Sequence, residues 1–226
     1  LTAKYCDHLP LYRQEKMLAR WGAPISRQNL CDWVGAATAL LEPLVKRMQQ
    51  DLLASGYVQI DETPVKCNDP DLRDGRTTQG YLWALSRPGG GKCGSAPGDA
   101  VFAWRLSRRH DEAGKLLGDY QGLLQSDGYE AYPAYVRAHP GVVWLGCWAH
   151  ARRKFHEALT EAPARASFVL GLIGQLYHYE SAWRQIGPEL RAARRQGHFG
   201  LTLALLQKTA QRLQALSLPR SLLGQA

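Results

Sequence analysis

At Gly56 the hydrophobic period of the chain changes, and that change limits the folds open to it. Before it, apolar residues recur at helical spacing: Leu30, Trp33, Val34, Ala37, Leu40 and Leu41, continued by Leu44, Val45, Met48, Leu52 and Leu53. Such a stripe predicts a helix, with Ser26 as its N-cap and Pro43 as a site for a kink. A first helix is expected from Lys4 to Trp21, closed by Gly22 and Pro24. The two helices are read as a hairpin packing on the next domain, in preference to a helix-turn-helix. After Gly56, Tyr57 to Cys67 alternates and is rich in β-formers, so it predicts a strand. Gly80 to Arg87 and Ala100 to Leu106 predict two more strands, separated by a polar loop around Asp69–Gly75 and a Gly/Pro-rich stretch from Pro88 to Gly98. The three form an antiparallel meander.

The texture then alternates. A helix is expected over Asp111–Tyr120, a compact strand over Gly122–Ser126, a helix over Tyr129–His139 and a fifth strand over Val142–Cys147. Helices follow at Ala149–Thr160, Ala164–Ile186, Pro188–Gln196 and Phe199–Leu216. The order β-β-β-α-β-α-β-α is that of a ribonuclease H-like α/β fold with a mixed sheet. It carries helices ahead of it (1–55), a core (56–160) and a C-terminal all-helical insertion (161–226). In that topology the first strand is central and the fourth lies parallel beside it, the placement favoured by right-handed crossovers.

Two acids then acquire meaning. Asp61 lies inside the first strand among Val58, Ile60 and Val65, and Asp127 ends the fourth strand just before Gly128. A carboxylate among apolar residues is costly without a compensating cation or hydrogen bonds. Two convergent carboxylates suit a hard, oxygen-preferring cation such as Mg²⁺ or Mn²⁺. A pair of such ions about 3.5–4 Å apart stabilises the attacking and leaving oxygens of a phosphodiester. Singly, each Asp also fits a bland reading, a strand-edge ion pair or an Asp-Gly turn. Glu62 points to the opposite strand face from Asp61 and is a poor third ligand.

The segments KYCDHLPLYRQE (Lys4 to Glu15), IDETPV (Ile60 to Val65), GYLWAL (Gly80 to Leu85), LQSDGYEAY (Leu124 to Tyr132) and GCWAHARRKFHEA (Gly146 to Ala158) stand in this order along the chain. With them the chain resembles the transposases of the insertion sequence 66 family, part of the Asp-Asp-Glu group. The resemblance implies that Asp61 and Asp127 are the first two catalytic acids. It also implies metal-dependent cleavage of transposon ends and joining of the freed 3′ hydroxyls to target DNA. The family's third acid lies in a helix opening with an Asn-Asn…Glu-Arg motif that this sequence lacks, and its DNA-binding region would precede Leu1. On this reading the chain is a fragment truncated before its third acid. Glu180, on a helical stripe with Leu172, Ile173, Leu176 and Trp183, is the internal substitute to weigh. It would complete the metal site or pair with an arginine such as Arg152.

Charge points the same way. Residues 1–136 hold sixteen Lys or Arg against sixteen Asp or Glu, whereas 137–226 hold twelve against four, so the whole net charge of +8 sits in the C-terminal part. A localised basic excess suits a polyanion, and Arg152, Arg153 and Lys154 are the candidate DNA-binding residues; Arg191, Arg194 and Arg195 form a second cluster. Both also fit solvated helix faces. The five cysteines contain no C-x-x-C pair, which predicts reduced thiols, and Cys147 with His150 is only half a zinc site. Trp83, Trp104, Trp144 and Trp148 are expected in the core. No apolar run approaches the roughly 18–20 residues of a membrane span, and no secretory signal opens the chain. The expectation is a cytoplasmic protein acting on DNA as a homo-oligomer, with accessory proteins of the element as further partners. A remnant that binds DNA without catalysis and a ribonuclease H-like nuclease are the alternatives.

Overall fold

The computed structural model describes residues 1–68, 77–89 and 98–226. The polar loop and the Gly/Pro-rich stretch, with Cys93, therefore lie largely outside the described residues. The protein is a mixed α/β structure whose five strands form one mixed sheet in the order β3-β2-β1-β4-β5. The chain divides into two compact units, Leu1–Arg108 and Arg109–Ala226.

The first unit contains α1 (Thr2–Tyr5), α2 (Leu11–Arg20), α3 (Arg27–Leu53), β1 (Tyr57–Asn68), β2 (Thr77–Arg87) and β3 (Asp99–Arg105). The single helix expected over Lys4–Trp21 is instead two. Pro10 has no N–H to donate and disfavours helical geometry in Leu9, and His8 takes a left-handed φ of 53°, so the chain turns there. In α3 the Ser26 hydroxyl accepts from Asn29 N at 3.2 Å, a cap worth about 1 kcal/mol. The helix runs on through Pro43. It packs on the meander through Leu52, which is fully buried.

Within that meander, β1 pairs antiparallel with β2 and β2 with β3. Register sets Ile60 beside Leu85 and Leu85 beside Val101, and sets Glu62 beside Trp83. Val58, Ile60, Trp83, Leu85 and Val101 are buried, so this face is the core side. The other face carries the row Asp61, Ala84, Phe102 and the row Thr63, Leu82, Trp104. A Cβ on Gly80 would lie 2.1 Å from Trp104 Cζ2, so the missing side chain is what lets the indole lie across β2.

The second unit contains α4 (His110–Leu117), β4 (Gly122–Ser126), α5 (Ala131–Ala138), β5 (Val142–Gly146), α6 (Trp148–Glu157), a short 3-10 turn (Ala158–Thr160), α7 (Pro163–Ala182), α8 (Pro188–Leu216) and α9 (Leu222–Gln225). β4 and β5 run parallel, Ser126 beside Gly146. Leu116, Leu117, Leu124, Tyr132, Tyr135 and Val142 are buried between α4, α5 and these strands. Farther along, Phe155, Val169, Leu172, Ile173, Leu176, Leu206 and Leu213 form a separate helical core.

The break expected between Gln196 and Phe199 is absent, because α8 is one continuous helix across Gly197 and Gly200. Each glycine costs about 1 kcal/mol in a helix, and burial of Leu206 and Leu213 with Phe199 packed beside them offsets it. Of the four tryptophans expected in the core, only Trp83 is buried. Trp104, Trp144 and Trp148 are 39%, 38% and 43% exposed.

Candidate functional site

In the first unit the alternation of β1 decides the roles of its two neighbouring acids. Val58 and Ile60 face the core, so Glu62 does too, and Asp61 lies on the opposite, exposed face. The apolar setting expected for Asp61 from Val58 and Ile60 thus belongs to Glu62, since side chains two apart share a face. The Glu62 side chain is 1% exposed and pairs with the Arg108 guanidinium, which supplies the cation that a buried carboxylate requires. Asp61 Oδ1 accepts from the Glu62 backbone N–H at 3.0 Å, which orients the carboxylate on the open face. Its register neighbour is Ala84, too short to cover it.

In the second unit Asp127 leaves the end of β4, half-buried. Its Oδ1 accepts from Tyr129 N at 3.0 Å, closing a turn of the kind Asp forms with the backbone two residues on. Beneath it, buried Ser126 donates through Oγ to the Asp127 carbonyl at 3.0 Å and accepts from Trp144 Nε1 at 2.9 Å. Cys147 N donates to Ser126 O at 3.0 Å, so the ladder of β4 and β5 runs on to the first turn of α6. Asp127 and the start of α6 therefore share the C-terminal edge of this parallel pair, the edge at which open α/β sheets bind ligands.

Arg152 and Arg153 are exposed on α6. Lys154 lies 3.8 Å from Glu157, a partly exposed pair that dilutes its charge. Glu180 of α7 is gripped by Arg195 of α8, with Oε1 accepting from Nε at 2.5 Å and Oε2 from Nη2 at 2.8 Å. The partner is thus Arg195, where the sequence had suggested an arginine such as Arg152. The Arg195 hydrogen bond holds the Glu180 carboxyl below its ordinary range, outweighing the opposing effect of burial. A carboxyl lowered on folding stabilises above its unfolded pKa, near 4.3, and loses that contribution as pH falls through the folded value. Glu180→Gln should therefore cost under about 1 kcal/mol at neutral pH, the cost fading below pH of about 4. Urea unfolding at the two pH values checks this, and an equal cost at both would contradict it.

Among the described residues, no cluster of three or more His, Cys, Asp or Glu side chains is placed to hold a metal ion. Cys6, Cys31, Cys67 and Cys147 are free thiols. No helix among the described residues is long and apolar enough to cross a membrane. Sequence reasoning missed Trp148, placed in the core though it is exposed at the start of α6. Spacing carries no signal of this: Ala151 and Phe155 follow Trp148 at three and seven residues, the positions of one helix face, and the exposed Arg152 and His156 only flank that stripe.

A family profile described as Transposase IS66 family matches residues 1–226, the entire sequence. The chain belongs to the IS66 transposase family. Uncharacterized protein y4qI of Sinorhizobium fredii is 35% identical over 162 residues, covering 69% of this chain and 30% of that protein. Uncharacterized protein y4jD of the same organism is 32% identical over 204 residues, 87% of this chain and 39% of the relative. A third, y4hP, is 34% identical over 163 residues, 70% of this chain and 28% of its own length. The chain thus spans well under half the length of each of these relatives. No solved structure matches it.

Proposed function

We propose that this chain is the catalytic region of a DNA transposase, with a ribonuclease H-like core over residues 56–160 in which Asp61 and Asp127 are the first two catalytic acids and carry divalent metal. The observation that carries the reading is the family match along the whole chain, with the DET segment on β1 and the SDGY segment starting at the last residue of β4. The strand order β3-β2-β1-β4-β5 supports it.

The donor set suits Mg²⁺ or Mn²⁺. Both ions prefer carboxylate oxygens, and Mg²⁺ is commonly held by one or two carboxylates, with water and substrate phosphate completing the shell. Asp61 presents a carboxylate on an exposed face, its Oδ1 accepting from the Glu62 backbone N–H. Asp127 presents one at a strand end, its Oδ1 fixed by Tyr129 N. Metal bound there would supply Lewis-acid activation of a phosphodiester and neutralise the charge that develops on it.

The remaining work falls to the protein's own residues. Arg152 and Arg153 bind phosphates beside the Asp127 edge. Glu180 fastens α7 to α8 through Arg195 and is not the third acid. The protein acts as a homo-oligomer on DNA, cleaving transposon ends and joining their 3′ hydroxyls to a target.

The test is cleavage of DNA carrying the element's ends by the full-length protein. Metal-dependent breaks exposing 3′ hydroxyls at those ends are expected. Binding without any cleavage in Mg²⁺ or Mn²⁺ would make this a DNA-binding protein instead, and cleavage indifferent to the ends would make it a nuclease. For the basic helix, Arg152→Ala with Arg153→Ala should weaken DNA binding and lower the slope of log K against log salt by about 1 for each phosphate no longer neutralised. An unchanged slope would return both residues to a solvated surface.

A further inference from the structure

The exposed Trp148 stands out in the second unit because its position is neither core nor isolated surface. Removing a large aromatic from water is favourable, so an indole left 43% exposed keeps apolar area available to a partner. Trp148 is the first residue of α6, one place beyond Cys147, whose N–H is tied to the carbonyl of Ser126. It therefore sits on the sheet edge from which Asp127 projects. Arg152 and His156 follow it at intervals of four on the exposed side of the helix. Helical side chains lean toward the N-terminus, so the Arg152 stem leans toward Trp148.

An aromatic face beside a cation that tracks a phosphate backbone is the pairing by which single-stranded nucleic acids are held. The indole offers a face to any base, and the guanidinium neutralises a neighbouring phosphate. The local charge favours that occupant: residues 137–226 carry twelve Lys or Arg against four Asp or Glu.

We propose that Trp148 is a stacking platform for an unpaired base of single-stranded DNA lying along the Asp127 edge, with Arg152 holding a phosphate of the same strand one helical turn away. The proposal rests on DNA being the partner, and it adds that the strand is unpaired where it passes α6. Trp148 is on this view a positioning residue for DNA.

The test compares two labelled DNAs binding to the full-length protein by fluorescence anisotropy: a blunt duplex, and the same duplex with a short 3′ single-stranded extension. The unaltered protein should prefer the extended DNA. Trp148→Ala should remove that preference, lowering affinity for the extended DNA by about tenfold or more and leaving the blunt duplex nearly unchanged. Trp148→Phe, which keeps an aromatic face, should retain most of the preference. Arg152→Ala should weaken both complexes and lower the salt slope. Equal affinity of the unaltered protein for the two DNAs, or an equal loss on both in Trp148→Ala, would overturn the stacking role while leaving DNA as the partner. Binding of neither DNA would instead overturn the proposed function, and this inference with it.

Discussion

Asp61→Asn or Asp127→Asn in the full-length protein should reduce strand transfer to background while leaving DNA binding largely intact. The amide is nearly isosteric, so the turn that Asp127 makes with Tyr129 N and the bond that Asp61 accepts from Glu62 N can both persist through the remaining carbonyl oxygen. The change removes the negative charge that a hard cation requires. A chelator added to the unaltered protein should give the same loss, reversed by Mg²⁺ or Mn²⁺. Strand-transfer product on a denaturing gel, beside a binding curve on the same DNA, separates the two effects. Full activity in either Asn variant would overturn the site assignment. Loss of binding in step with activity would make the Asp structural.

The second large effect concerns stability. Arg108→Met should destabilise the first unit by about 2–3 kcal/mol. Breaking a buried ion pair from one side costs about 3–5 kcal/mol, because the remaining charge stays in a poor solvent. The Glu62 side chain is 1% exposed but Arg108 is 38% exposed, so water screens the guanidinium and the lower figure applies. Adding Glu62→Gln to Arg108→Met should recover more than half of the loss, since the amide carries no charge to strand. Urea midpoints at constant slope measure both changes. A single-variant loss under about 0.5 kcal/mol would show that the pair is already well solvated.

Period-two alternation across Tyr57–Cys67 was enough to put Asp61 and Glu62 on opposite faces of β1, because the pleat of a strand is local covalent geometry. It was not enough to say which face is inside. The apolar flank of Asp61 looked like a buried setting, yet the core side is that of Val58, Ile60 and Glu62, because α3 and the residues Trp83 and Val101 pack there. The partner of Glu62 was equally hidden. Arg108 lies 46 residues away in sequence, beyond the reach of any local pattern. The α7–α8 hairpin repeats the lesson, with Glu180 finding Arg195 across 15 residues.

By itself, then, the sequence determined the order of helices and strands, the place of Asp61 within a strand and of Asp127 at a strand end, the basic bias of the C-terminal part, and the family. Each of these rests on dihedral preference, side-chain period or charge, which neighbouring residues impose on one another. Tertiary structure decided which acid is buried, which cation compensates it, that α8 runs unbroken through its two glycines, and that Trp148 stays exposed on α6. Those outcomes depend on burial against residues distant along the chain, where the gain from packing one face outweighs the local preferences of a few residues.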